Sequence, residues 1–80
     1  MYTIGYTGKS KKQLASLSKN LRFEFVLLFK QLAQNPFIGK LSNNIYHTHV
    51  KYKCVAVWDV DKKAKIVTII YVGSRESAPY

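Results

Sequence analysis

The sequence is poor in cysteine, in acidic residues and in long apolar runs. Its single cysteine, Cys54, excludes an internal disulfide and a zinc site built from several thiolates. Its densest apolar stretch, residues 23–29, is interrupted by Glu24 and is too short to cross a bilayer. The first residues contain no basic segment followed by an apolar run. We therefore expect no signal peptide, no membrane partner and a cytoplasmic protein.

The shortage of acidic residues leaves a large positive charge. Four Asp and Glu stand against 13 Lys and Arg, which gives a formal charge of +9 over 80 residues. A charge this high in so small a protein indicates a polyanionic partner, such as nucleic acid or an acidic protein. Hydrophobic residues make up 48% of the chain, enough for a packed core. The length predicts a single domain over residues 1–80 and excludes many large enzyme folds.

The first half of the chain is predicted to hold one strand and two helices. Residues 2–7 are aromatic and β-branched, as is typical of a strand. Ser10 can cap a short basic helix that ends near Leu17, and Ser18 can cap a second helix that ends near Gln34. The second helix has an apolar stripe with a period of 3.6 residues, which indicates one face packed on a core.

The second half is predicted to be β structure. A loop at residues 36–44 is followed by strands at residues 45–50, 52–60 and 66–72, and then by a polar tail. Short turns between these strands indicate an antiparallel meander. We therefore expect an α+β fold in the order β-α-α-β-β-β, with two N-terminal helices packed on a mostly antiparallel four-stranded sheet.

The second helix is more apolar than one core requires. Phe23, Val26 and Leu27 lie partly off its main stripe. Either the helix is packed between the sheet and the first helix, or these three side chains form a surface for a partner. We take them as candidate partner-binding residues.

Several side chains able to carry chemistry are predicted on one sheet face. His47 and His49 are two residues apart, so they point the same way from their strand. Lys53 is predicted to share a face with Val55 in the next strand, and Arg75 to continue one face of the last strand. That face is predicted to carry Val67, Ile69, Tyr71 and Gly73. Whether these faces coincide depends on strand register, which sequence does not fix.

Such a set of side chains would suit the cleavage of RNA. Two imidazoles can supply a base and an acid near neutral pH, and Lys and Arg stabilise charge on a pentacoordinate phosphorus. Attack by the 2′-hydroxyl then needs no metal, cofactor or protein nucleophile. Tyr80 can stack on a base or simply be frayed. One alternative is a polar face with two solvated histidines. Another is a zinc site, for which no Cys or carboxylate spacing supplies the remaining ligands.

Two segments resemble the RelE/ParE toxin superfamily. In residues 45–60, the letters KYK lead into an apolar strand that ends WDVD; residues 66–76 read IVTIIYVGSRE, and Tyr80 follows. The initial strand and the two helices, the second ending LAQNP, fit the same pattern, so the resemblance covers nearly the whole chain. It implies two helices on a curved, mostly antiparallel sheet. RelE-like members bind the ribosome and cut mRNA, leaving a 5′-hydroxyl and a cyclic or 3′-phosphate.

The resemblance also implies a set of site residues. Lys53 stands where the family site has an arginine, and the spacing from Arg75 to Tyr80 is one residue shorter than in the family. The candidate catalytic residues are His47, His49, Lys53, Arg75 and Tyr80. The candidate RNA-binding residues are Lys40 and Lys51.

The same superfamily contains a second functional class. Its ParE-like branch inhibits DNA gyrase without enzymatic activity, and this is the alternative to a ribosome-associated mRNA endoribonuclease. Either branch implies a cognate acidic antitoxin that covers the basic surface. The expected partners are therefore an acidic antitoxin protein together with the ribosome and mRNA, and no cofactor is expected.

Overall fold

A mixed five-stranded sheet forms the centre of the computed structural model, which describes residues 1–51 and 53–80. The strands lie in the order β1-β5-β4-β3-β2, with β1 parallel to β5 and every other neighbouring pair antiparallel. Their bounds are β1 Thr3–Tyr6, β2 Lys40–Ser42, β3 Ile45–His49, β4 Cys54–Asp61 and β5 Ile66–Ser74. The α+β class is confirmed.

The predicted count of four strands is wrong because a short strand lies inside the predicted loop. Lys40–Ser42 pairs with β3 through a tight turn at Asn43 and Asn44, whose φ angles are 51° and 68°. Asparagine adopts this left-handed conformation more readily than most residues, and two such residues form a hairpin turn. The strand predicted at residues 52–60 begins at Tyr52, which lies outside the described residues; β4 begins at Cys54.

Two helices cover one face of the sheet, α1 at Gly8–Ala15 and α2 at Lys19–Gln34. Ser18 caps α2 as predicted, its hydroxyl accepting a hydrogen bond from the Leu21 amide at 3.3 Å. The predicted cap of α1 is wrong. Thr7 takes that position and accepts from the Ser10 amide at 3.0 Å, so α1 begins earlier in the chain.

Helix α1 completes the hydrogen bonding of β5 beyond the end of β1. The buried hydroxyl of Ser10 donates to the Ile69 carbonyl at 2.7 Å. The Gln13 side-chain oxygen accepts from the Val72 amide at 3.2 Å. These contacts satisfy strand groups that would otherwise face an open sheet edge, and they fix α1 against β5.

The main core lies between α2 and the sheet. Phe25, Phe29 and Leu32 of α2 are buried there, as their spacing predicts, against Trp58 of β4. The Trp58 indole N–H donates to the Pro36 carbonyl at 2.9 Å, so its single polar group is satisfied. Among the residues described, no helix combines the length and apolar character needed to span a bilayer.

A bulge in β5 determines which residues of this strand face the helices and which face away from them. Val57 pairs with Tyr71 whereas Trp58 pairs with Ile69, so Ile70 is an extra residue in the strand. The extra residue reverses the alternation. Val67 and Ile69 therefore pack in the core under the helices, while Tyr71 belongs to a second cluster with Val55 and Val57. The prediction that one face carries Val67, Ile69, Tyr71 and Gly73 is therefore wrong.

Candidate active site

The face of the sheet turned away from the helices, here called the distal face, carries both histidines. His47 of β3 pairs with Val57 of β4, and His49 pairs with Val55. Directly paired residues project from the same face. Because Val55 and Val57 belong to the cluster opposite the helical core, both imidazoles lie on the distal face. Lys40 pairs with His47 from the edge strand β2, and its charge acts on that imidazole.

The segment after β5, residues 75–80, lies across the distal face and is called the strap. It begins with one short 3₁₀ turn, Arg75–Ser77. Ala78 then packs against the buried cluster of Val55, Val57 and Tyr71. The ring of Tyr80 stacks on His47 with centroids 3.8 Å apart and planes 7° apart. The middle of the distal face is thus covered by the protein itself.

The two histidines have different surroundings. His47 is only 7% exposed, and its Nδ1 has no hydrogen-bond partner among the described residues. Burial lowers the pKa of His47 below its usual 6.5, and the positive charges of Lys40 and His49 act in the same direction. His47 is therefore mainly neutral at pH 7. His49 is exposed, so its ring is accessible to a ligand.

Lys53 and Arg75 are neighbours through their backbones. The Arg75 amide donates to the Lys53 carbonyl at 2.9 Å, and both side chains are exposed. Lys53 does not continue the alternation of β4 as predicted, because it precedes the strand and has a left-handed φ of 69°. Lys53 lies two residues before Val55 and Arg75 two residues after Gly73, so both residues are beyond the paired row of His49, Val55 and Gly73, at the His49 end of the sheet.

The candidate RNA-binding lysines are separated. Lys40 adjoins His47 on the distal face. The Lys51 Nζ instead lies 3.2 Å from a carboxylate oxygen of Glu24 in α2. A groove between α2 and β3 is lined by both Lys51 and His49, so Lys51 is on the flank of the site.

The candidate partner-binding residues lie on α2 away from the core. Phe23 is 61% exposed, Leu27 is exposed and Val26 is half-buried. Phe23 and Val26 line an open groove of about 750 Å³, together with the basic residues Lys19 and Arg22. Helix α2 thus carries an apolar surface bordered by positive charge.

The strap depends on residues whose role the sequence did not indicate. The Tyr71 hydroxyl donates to the Ser74 carbonyl at 2.7 Å. Burial raises the pKa of Tyr71 above 10.0, so the hydroxyl keeps its proton at neutral pH. Gly73 has a φ of 145°, and a Cβ there would lie 3.2 Å from the Tyr71 hydroxyl oxygen. A glycine directly after an apolar strand was the available sequence signal.

No metal site accompanies the histidines in the part of the chain that the structure describes. Residues 1–51 and 53–80 contain no group of three or more His, Cys, Asp or Glu side chains placed to hold a metal ion. The site instead combines exposed imidazole, nearby cations and a stacked aromatic ring. Such a set can hold a phosphate and accept a proton.

Comparison with solved structures relates this geometry to known proteins. No protein-family model matches the sequence, and no curated protein matches it. The isolated E. coli RelE toxin superposes with a TM-score of 0.85 at 19% identity, covering 99% of this chain and 89% of that chain. The chain has a RelE-like toxin fold.

Two toxin–antitoxin complexes share the RelE-like fold. The M. tuberculosis RelBE2 complex gives a TM-score of 0.80 at 21% identity, covering 92% of this chain and 98% of that chain. The archaeal RelE–RelB complex from P. horikoshii gives 0.78 at 18% identity, covering 96% and 98%. The fold resemblance implied by the sequence is thereby confirmed, at identities too low to transfer the chemistry of individual residues.

Proposed function

We propose that this protein is the toxin of a toxin–antitoxin pair and that it cuts mRNA on the ribosome in the cytoplasm. The observation that supports the proposal is the distal face of a RelE-like fold, which carries the exposed imidazole of His49, with Lys53 and Arg75 joined through their backbones at the same end of the sheet. The formal charge of +9 supports a polyanionic substrate.

His49 is the proposed general base. Its exposed imidazole takes the proton of the 2′-hydroxyl, and the 2′-oxygen then attacks the adjacent phosphorus. The bond from phosphorus to the 5′-oxygen breaks, and that oxygen takes a proton from water. The products are a 2′,3′-cyclic phosphate and a 5′-hydroxyl. His47 is less suited to this step because Tyr80 covers it.

The cations bind and stabilise the phosphate. Arg75 holds the scissile phosphate, and Lys53 adds charge stabilisation as the phosphorus becomes pentacoordinate. Lys40 lies on the same face and binds a neighbouring phosphate, and Lys51 contributes at the flank. Tyr80 is 38% exposed, and it is the proposed residue for stacking on a base.

A purified-protein assay tests the proposal. Ribosomes carrying a defined mRNA are incubated with wild-type protein, His49→Ala and Thr48→Ala, and fragments are mapped. His49→Ala is expected to slow cleavage by about 10²-fold or more, the usual contribution of a general base. Thr48→Ala, next to it on the opposite face, is expected to retain activity. No mRNA cleavage by wild type, with DNA breakage in cells instead, would favour the gyrase inhibitor.

A second part of the proposal concerns the partner. The apolar surface of Phe23, Val26 and Leu27, bordered by basic residues, fits an acidic segment of an antitoxin that folds on α2. The solved complexes with the same fold each pair a toxin with an antitoxin.

Co-purification with the protein encoded next to the gene tests the partner. Binding is expected to weaken as salt rises, and Phe23→Ser is expected to weaken it by roughly tenfold or more. Leu41→Ser is the matched control, because Leu41 is a similarly exposed apolar residue, 57% exposed, on the edge strand. Equal loss in both variants, or a complex indifferent to salt, would contradict this assignment of the surface.

A further inference from the structure

Tyr71 links the sheet to the strap. Its ring lies in the distal cluster with Val55 and Val57 and is only 8% exposed. Its hydroxyl donates to the carbonyl of Ser74, the last residue of β5, at 2.7 Å. One side chain from the sheet therefore holds the chain at the point where the strap begins.

The backbone of β5 also passes close to the Tyr71 side chain just before the strap begins. At Gly73 the backbone has a φ of 145°, and its approach to the Tyr71 ring leaves little room for a Cβ. Ser74 is exposed. Two further contacts hold the strap: the bond from the Arg75 amide to the Lys53 carbonyl and the stack of Tyr80 on His47.

We propose that Tyr71 is a positioning residue, whose hydroxyl holds the strap so that Arg75 and Tyr80 stay over the distal face. It does not touch the RNA. Its effect on cleavage rests on the proposed function, whereas its effect on strap position depends only on the fold. The hydroxyl is the group that matters, because the ring alone would keep the apolar cluster filled.

The experiment compares Tyr71→Phe with Tyr46→Phe, the same chemical change on the opposite face of the sheet. NMR spectra record the ring protons of His47, which the Tyr80 ring shifts through its stacking. Tyr80→Ala marks the positions of these signals without the stack. In Tyr71→Phe the His47 signals are expected to move from the wild-type positions toward those of Tyr80→Ala. In Tyr46→Phe they are expected to stay.

Cleavage of mRNA on ribosomes gives the second readout. Tyr71→Phe is expected to lower the cleavage rate roughly five- to tenfold, the equivalent of one hydrogen bond, while Tyr46→Phe keeps the wild-type rate.

The outcomes separate the two claims. If the His47 signals of Tyr71→Phe coincide with those of wild type, the positioning role is overturned. If they move as expected while wild-type protein cuts no RNA, Tyr71 still holds the strap and the proposed function fails.

Discussion

Gly39 lies where the chain has no space for a side chain. It precedes the edge strand β2 and passes over the indole of Trp58. A Cβ built on Gly39 would lie 2.5 Å from Trp58 Cη2 and 2.8 Å from the carbonyl oxygen of His47. Both distances are far below ordinary contact, and the second involves a backbone atom that cannot rotate away. Gly39→Ala therefore forces β2 and β3 apart or displaces the buried Trp58.

The expected loss of stability follows from this overpacking. Forcing an extra methyl group into a packed region costs about 2 kcal/mol. In a domain of this size that loss lowers the melting temperature by roughly 8–16 °C. The same substitution at Gly8 is the control, because a Cβ there meets nothing within 4 Å and the residue lies in α1. Gly8→Ala is expected to be neutral or stabilising by up to about 1 kcal/mol.

Thermal unfolding followed by circular dichroism compares the two variants with wild type. Fluorescence of Trp58, the single tryptophan, reports whether its packing has changed. A Gly39→Ala protein that melts at the wild-type temperature with unchanged fluorescence would refute the packing described around Trp58. A Gly8→Ala protein destabilised as strongly as Gly39→Ala would show that the space available around each glycine does not determine the loss of stability.

Four further predictions rest on individual contacts. Trp58→Phe removes the indole donor from a buried carbonyl and is expected to cost about 2–4 kcal/mol in denaturant unfolding. Burial lowers the pKa of His47, so below pH 6.5 the unfolded chain takes up a proton on this imidazole more readily than the folded protein does. The free energy of unfolding is therefore expected to decrease as pH falls below 6.5. In Tyr80→Ala the pKa of His47, measured by NMR titration, is expected to rise toward 6.5, and an unchanged value would contradict the covering role of Tyr80. Lys51→Ala removes one exposed ion pair and is expected to change the free energy of unfolding by less than about 1 kcal/mol.

The helices and the alternation of β3 could be predicted because both are local. The apolar period of α2 identifies Phe25 and Phe29 as core residues, and the Ser18 hydroxyl caps the helix from a fixed distance along the chain. His47 and His49 share a face because consecutive strand residues alternate. These inferences need no knowledge of which strands are neighbours.

The remaining features depend on contacts between distant residues. The extra residue Ile70 separates Ile69 from Tyr71 and shows itself only in the pairing of β5 with β4. The left-handed backbone of Lys53 removes it from the strand alternation, and the stack of Tyr80 on His47 joins residues far apart in sequence. Register and such long-range contacts are set by the whole fold, so a local pattern does not determine them.

We propose above that His49 on the distal face removes a proton from the 2′-hydroxyl of a bound RNA. The most direct measurement uses an mRNA with a single 2′-deoxynucleotide at the position where wild-type protein cuts. We expect this substitution to abolish cleavage there, and we expect unmodified mRNA to give fragments with a 5′-hydroxyl and a cyclic or 3′-phosphate. Cleavage that persists at the deoxy position, or fragments with a 5′-phosphate, would contradict it.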